Sequence, residues 1–102
     1  MDINVQELKE RLDKKDESFI LIDVREPHEH EEFNVGGQLI PLGSVPHELD
    51  DMEEHQDDEI VVYCRSGQRS GVAQSLMEQA GFKNVRNLQG GVLAWIDAYG
   101  RD

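Results

Sequence analysis

The residue best suited to chemistry in this sequence is Cys64, the only cysteine of the chain. A lone cysteine cannot form an intrachain disulfide, a Cys-x-x-Cys redox pair or a multi-thiolate zinc site. Two interpretations remain: Cys64 is either a small buried hydrophobic residue or a reactive thiol. The neighbouring residues distinguish these two interpretations. The segment 64–70 reads Cys-Arg-Ser-Gly-Gln-Arg-Ser.

Position and charge favour the reactive thiol. The segment 64–70 follows the apolar run 60–63 and precedes apolar residues at helical spacing, so it joins a buried strand to the start of a helix. The free amides and positive dipole end of a helix form an anion site, which lowers the pKa of a thiol at its base. Arg65 and Arg69 add positive charge, and no Asp or Glu occurs between positions 60 and 77. We therefore expect Cys64 to be a thiolate nucleophile.

The length of this loop limits the chemistry. A cysteine loop of the tyrosine-phosphatase kind separates its cysteine and arginine by five residues, so that seven residues surround a tetrahedral oxyanion. Here Arg69 is the sixth residue of the loop and Ser70 is the seventh. The shorter cradle suits a smaller group on the sulfur, such as one extra sulfur atom, and argues against a phosphatase or an arsenate reductase.

Strand and helix signals alternate along the rest of the chain. The predicted strands are 19–24, 38–40, 60–63 and 85–88. The predicted helices are about ten residues after the N-cap Asn4, then 27–33, 44–52, 72–80 and 92–99. This order predicts an α/β fold with a mainly parallel central sheet and helices on both faces. Sites in such sheets lie at the carboxyl ends of the strands, where Asp23 and Cys64 both fall.

Length and charge limit the remaining function classes. The 102 residues predict one domain, 1–102, and the formal net charge of −12 disfavours nucleic acid and membrane surfaces as partners. The N-terminus lacks the basic and apolar regions of a signal peptide, so we expect a cytoplasmic protein. We expect no metal site, because the acidic run 53–59 lacks an EF-hand pattern and the histidines have no metal-ligand spacing.

Three motifs occur in order along the chain. They are Leu-Ile-Asp-Val-Arg-Glu at 21–26, followed by Glu-Phe at 32–33; the cysteine loop 64–69; and a pattern of Gly, Phe, Val, Leu, Gly-Gly and Trp over 81–95. Together they resemble the rhodanese family of sulfurtransferases, and the segment 64–69 is similar to the six-residue active-site loop of that family. The resemblance spans nearly the whole chain and implies a rhodanese-like three-layer fold. It departs at 36–43, where many members carry a Gly-His-Ile segment and this chain reads Gly-Gly-Gln-Leu-Ile-Pro-Leu-Gly.

The resemblance implies sulfane-sulfur transfer through a persulfide on Cys64, with thiosulfate or a persulfide as donor and cyanide or a thiol as acceptor. The residues expected to bind the substrate, mainly through backbone N–H groups, are Arg65, Ser66, Gly67, Gln68, Arg69 and Ser70. Arg69 either contacts the donor or pairs with Asp23, and Asp23 and Arg25 are expected to support the site. No cofactor is required.

Two points stay open from the sequence. The thiol acceptor can be glutathione, thioredoxin or a small sulfur-carrier protein, since no residue selects among them. The alternative function is a non-catalytic rhodanese-like module that binds a partner or senses sulfur and oxidants through Cys64.

Overall fold

The computed structural model describes residues 1–101 as helices and strands in alternation. The strands are β1 (Phe19–Asp23), β2 (Gln38–Leu39), β3 (Glu59–Tyr63) and β4 (Asn84–Asn87). The helices are α1 (Val5–Asp13), α2 (Pro27–Glu32), α3 (Val45–Glu48), α4 (Gln68–Gln79) and α5 (Gly91–Tyr99), with 3₁₀ segments at Leu42–Ser44 and Leu49–His55. Within the described residues, no helix is both long enough and apolar enough to cross a membrane.

All strand pairs of the sheet are parallel, in the order β2-β1-β3-β4. The two central strands are runs of apolar residues, as a sheet covered on both faces requires. Asp23 and Tyr63 are paired at the ends of β1 and β3. The residue after Tyr63 is Cys64, so this register brings Cys64 to the edge of the sheet at which Asp23 lies.

Each face of the sheet has its own hydrophobic core, because successive side chains of a strand point to opposite faces. Ile22 and Val62 lie in one core with Met77 of α4. Leu21 and Val61 lie in the other core, which α1 and α5 cover with residues that include Leu8, Val92 and Trp95. The expected three-layer arrangement, with helices on both faces of a parallel sheet, is confirmed.

The region 44–52 differs from the single helix expected there. Only Val45–Glu48 is α-helical, and the chain continues as a 3₁₀ helix through Leu49–His55. Ser44 makes no side-chain capping bond to the helix. Acidic residues crowd positions 48–54, and like charges three or four residues apart destabilise a regular helix.

Helix α4 starts at Gln68, four positions before the first apolar residue used to predict it. The second half of the cysteine loop therefore forms the first turn of this helix, and its backbone N–H groups are free of helical partners. The fold thus places unpaired amides directly after the loop cysteine.

Candidate active site

Cys64 follows β3 at the carboxyl edge of the sheet and is only 1% exposed. Its Sγ atom accepts a hydrogen bond from the backbone N–H of Gly67 at 3.1 Å. The hydroxyl of Ser70 lies 3.3 Å from the same sulfur. Gly67 has a φ of +104°, a left-handed conformation that favours glycine, and there the chain turns from the loop into α4. The loop therefore wraps around the sulfur.

Two opposing effects set the pKa of Cys64. Burial raises the pKa, because the protein interior solvates a thiolate poorly. The hydroxyl of Ser70 and the backbone N–H groups of Ser70, Gly67 and Ser66 donate to the sulfur and lower the pKa. The donors prevail, so the pKa of Cys64 lies below its ordinary value. The lowering thus comes from hydrogen bonds of the loop, as its free amides predict, and the charges of Arg65 and Arg69 are not among its main causes.

Ser70 is itself held by a residue from the neighbouring strand. Its Oγ atom lies 2.6 Å from Oδ1 of Asn87, and Nδ2 of Asn87 donates to the backbone carbonyl of Gly67 at 3.0 Å. Asn87 ends β4 and thereby ties both sides of the loop together. The sequence analysis did not select Asn87, although its position at the end of a strand next to β3 could have indicated it.

Arg69 pairs with Glu29 of α2. Its two terminal nitrogens lie 2.7 and 2.9 Å from the two carboxylate oxygens of Glu29 in a bidentate arrangement. This hydrogen-bonded pairing lowers the pKa of Glu29 to about 2. Of the two roles left open for Arg69, pairing with Asp23 is not seen: the carboxylate that meets Arg69 is that of Glu29, 40 residues earlier in the chain.

Asp23 and Arg25 form a buried pair at the end of β1. Nε of Arg25 lies 2.9 Å from Oδ1 of Asp23, and Nη2 lies 2.8 Å from Oδ2. Arg25 also donates to the backbone carbonyl of Phe33 at 2.7 Å, and Nδ1 of His30 lies 2.9 Å from Oδ2 of Asp23. Burial raises the pKa of Asp23, but these hydrogen bonds prevail and leave it below its ordinary value. This cluster anchors α2, which carries Glu29, to the sheet.

The first turn of α5 fixes the loop from the opposite side. The backbone N–H of Val92 donates to the carbonyl of Cys64 at 2.9 Å, and that of Leu93 donates to the carbonyl of Arg65 at 3.0 Å. Gly91 has a φ of +58°, and a Cβ atom there would overlap the carbonyl oxygens of Cys64 and Arg65. The structure therefore requires a glycine at position 91 for this close approach.

Three of the expected substrate-binding residues, Arg65, Ser66 and Gln68, are exposed on the outside of the loop. Arg65 makes no ion pair with any residue in the part of the chain that the structure describes. Gly67 and Ser70 instead face the sulfur, as shown above. The loop therefore has an inner side that contacts Cys64 and an outer side that carries a free positive charge.

A buried cysteine, surrounded by hydrogen-bond donors at the carboxyl edge of a parallel sheet, defines an α/β protein organised around one ionisable thiol. The family model of the Rhodanese-like domain matches residues 4–98, and the chain belongs to this family. The resemblance identified from the three sequence motifs is thereby confirmed.

Similar proteins support the assignment of this chain to the family. A thiosulfate sulfurtransferase of Pseudoalteromonas translucida is 30% identical over 98 residues, which cover 95% of this chain and 90% of that protein. A Bacillus subtilis protein, named as a candidate sulfur carrier, is 38% identical over 95 residues; the match covers 92% of this chain, which spans only 50% of that relative. The solution structure of a rhodanese-like domain from Anabaena has a TM-score of 0.83 and 27% identity, covering 97% of this chain and 75% of that one. Similarity to a named sulfurtransferase supports a sulfurtransferase activity for this chain.

Proposed function

We propose that the chain transfers sulfane sulfur from thiosulfate to an acceptor through a persulfide on Cys64. The observation that carries this proposal is the set of donors aimed at one atom: Gly67 and Ser70 both contact Sγ, and the pKa of Cys64 lies below its ordinary value. A family relative named as a thiosulfate sulfurtransferase supports the choice of donor.

In the first half-reaction, the thiolate of Cys64 attacks the outer sulfur of thiosulfate. The S–S bond of thiosulfate breaks, sulfite leaves with the bonding electron pair, and the outer sulfur stays on Cys64 as a persulfide. The thiolate and thiosulfate together undergo no net oxidation or reduction, and their total charge is unchanged. The terminal sulfur carries the negative charge, so preorganised N–H donors of the loop stabilise it as they stabilise the thiolate.

In the second half-reaction, an acceptor thiolate or cyanide attacks the terminal sulfur of the persulfide. The new bond forms on that sulfur, and Sγ of Cys64 leaves with the electron pair as a thiolate. The same hydrogen bonds that lower the pKa of Cys64 make it a good leaving group. One cysteine is therefore enough for the whole cycle.

Intact-mass measurement after incubation with thiosulfate tests the proposal. We expect the protein to gain the mass of one sulfur atom, and cyanide to remove it as thiocyanate. Cys64→Ala, the matched control, should gain nothing. If the unmodified protein gains no sulfur from thiosulfate, polysulfide or a cysteine persulfide, the transfer reaction is wrong, and a binding or sensing role for Cys64 takes its place.

A further inference from the structure

A pocket of about 140 Å³ lies next to the cysteine loop, between α2 and α5. Its apolar part consists of Phe33, Val92, Leu93 and Ile96. Leu93 is 44% exposed, so its apolar surface is accessible to a molecule in the pocket. Leu93 and Ile96 are three residues apart on α5 and therefore share the helix face that borders the pocket.

Two of the charged residues around this pocket are neutralised by partners. Arg25 is paired with the buried carboxylate of Asp23. Glu29 is paired with Arg69 in the bidentate contact described above. A molecule that enters the pocket therefore meets little net charge from these four groups.

The remaining charges leave an excess of positive charge. Arg65 has no acidic partner among residues 1–101. Arg101 lies 3.6 Å from Glu32, and both side chains are more than half exposed, so water screens this contact. The pocket thus combines an apolar wall with two guanidinium groups. That of Arg65 has no acidic partner among residues 1–101, and that of Arg101 has only its exposed contact with Glu32.

The pocket also borders the loop that carries the reacting cysteine. Arg65 is the residue after Cys64, and the backbone N–H of Val92 donates to the carbonyl of Cys64 at 2.9 Å. A persulfide extends the side chain by one S–S bond of about 2 Å. A molecule seated against Leu93 is therefore next to the loop from which the terminal sulfur is taken.

We propose that this pocket binds the sulfur acceptor, and that the acceptor is a small thiol carrying a carboxylate. Methylene groups of such a thiol pack on Leu93, and its carboxylate meets the guanidinium groups of Arg65 and Arg101. Thiosulfate itself fits this pocket less well, because it has no apolar part to cover Leu93. This assignment rests on the proposed persulfide cycle, whose second half-reaction it makes selective.

Two small thiols test the assignment: 3-mercaptopropionate, which carries a carboxylate, and 2-mercaptoethanol, which does not. The protein is first loaded with sulfur from thiosulfate, and the rate of sulfur removal by each thiol is then measured. The readout is the ratio of the rate constants for mercaptopropionate and mercaptoethanol. Because this ratio is compared between variants, the intrinsic reactivity of each thiol cancels.

The variants remove either partner of the ion pair between Arg101 and Glu32. Arg101→Gln should lower the ratio about two- to fivefold, as expected for an exposed charge contact. Glu32→Gln should raise the ratio, because it removes the carboxylate that competes for Arg101. Lys83→Gln removes an exposed, ion-paired positive charge outside the pocket and should leave the ratio unchanged.

The outcomes separate this proposal from the one it rests on. If Arg101→Gln and Glu32→Gln shift the ratio in the same direction, or neither shifts it, the acceptor pocket is wrong although sulfur transfer stands. If the protein never loads sulfur from any donor, the persulfide cycle is wrong, and the acceptor pocket fails with it.

Discussion

Ser70 has one hydroxyl proton and two acceptors near it, Sγ of Cys64 at 3.3 Å and Oδ1 of Asn87 at 2.6 Å. The carbonyl of Gly67 accepts from Nδ2 of Asn87 and so keeps Oδ1 turned toward Ser70. When Cys64 ionises, the negative sulfur becomes the stronger acceptor, and the hydroxyl can turn from Asn87 to Sγ. Ser70 is therefore a donor that responds to the charge of the thiol, whereas the backbone amides are fixed.

Replacing Ser70 with alanine should raise the pKa of Cys64, because burial still disfavours the thiolate while one of its donors is lost. At neutral pH, iodoacetamide should then alkylate Cys64 roughly tenfold more slowly, as expected for the loss of a hydrogen bond to a charged group. The measurement is the alkylation rate as a function of pH, whose midpoint should move to higher pH. Ser66→Ala is the control, since its exposed side chain makes no hydrogen bond to the sulfur. An unchanged midpoint in Ser70→Ala would show that the amides alone ionise Cys64.

At the residue scale, the sequence predicts the parts of the site that are contiguous. Cys64 and the loop after it are predictable because their residue types and their place between a strand and a helix lie in one short segment. Glu29 and Asn87 reach the loop from 40 and 17 residues away. The one signal for such distant contacts in a single sequence is the convergence of parallel strand ends, which applies to Asn87 on β4 but not to Glu29 on a helix.

At the scale of elements, the contact between Arg69 and Glu29 links α2 to the start of α4. The hydrogen-bonded arginine lowers the pKa of Glu29 from its ordinary value of 4.5 to about 2. A carboxylate with a lowered pKa in the folded state stabilises the fold above pH 4.5 and loses that effect as the pH falls toward 2, because the unfolded chain binds the proton first.

Glu29→Gln should therefore reduce the pH dependence of the unfolding free energy between pH 4.5 and about 2, and lower stability at neutral pH. Urea unfolding at a series of pH values measures both effects. Glu31→Gln provides a matched control on the same helix, since Glu31 is exposed and makes no ion pair with any residue of the described part. Equal pH slopes in Glu29→Gln and the unmodified protein would contradict the stabilising role of this pair.

The contact between α5 and the cysteine loop gives a second prediction at this scale. Gly91→Ala should lower the free energy of unfolding by about 2 kcal/mol or more, because a Cβ atom at a positive φ is strained and overlaps two loop carbonyls. Alkylation of Cys64 should change as well, since those carbonyls belong to Cys64 and Arg65. Gly43→Ala has open space around it and should change stability by less than about 0.5 kcal/mol. Similar denaturation midpoints for both variants would show that α5 moves away without cost.

The element boundaries show where sequence patterns are reliable. The two central strands are predictable from short apolar runs, because a sheet buried on both faces needs apolar residues on both sides of its inner strands. The segment 44–55 was less predictable, since its acidic residues oppose a regular helix while Leu49 and Met52 still pack against the core. In this segment packing favours a helix and charge repulsion opposes a regular one. The periodic pattern of apolar residues alone therefore does not predict the observed 3₁₀ helix.

At the scale of the whole molecule, the charge around the site in the fold differs from the charge that the neighbouring sequence alone indicates. The segment 60–77 contains no acidic residue, which predicts a locally positive site in a chain of net charge −12. In the fold, Glu29 lies 2.7 Å from Arg69, so one of the two arginine charges in that segment is neutralised. Arg65 remains the uncompensated cation of the loop within the described residues.

The rate of persulfide formation from thiosulfate should therefore increase with ionic strength. At about 10 mM salt the Debye length is about 30 Å, comparable with the molecular extents of 35 × 27 × 19 Å, so the dianionic donor is repelled by the whole charge of −12. At about 150 mM salt the Debye length is about 8 Å, and the donor interacts mainly with the loop and Arg65. We expect the second-order rate constant to rise about two- to tenfold across this range.

Alkylation of Cys64 by iodoacetamide, which is uncharged, is the control for salt effects on the thiolate itself and should change little over the same range. Arg65→Gln should lower the thiosulfate rate at high salt but keep its increase with salt, because the repulsion comes from the rest of the molecule. If the thiosulfate rate instead falls as salt is added, attraction by Arg65 outweighs the net charge of −12 even at long range. The donor would then be guided by the local field of the loop, and the repulsion assigned to the net charge of the whole molecule would be wrong.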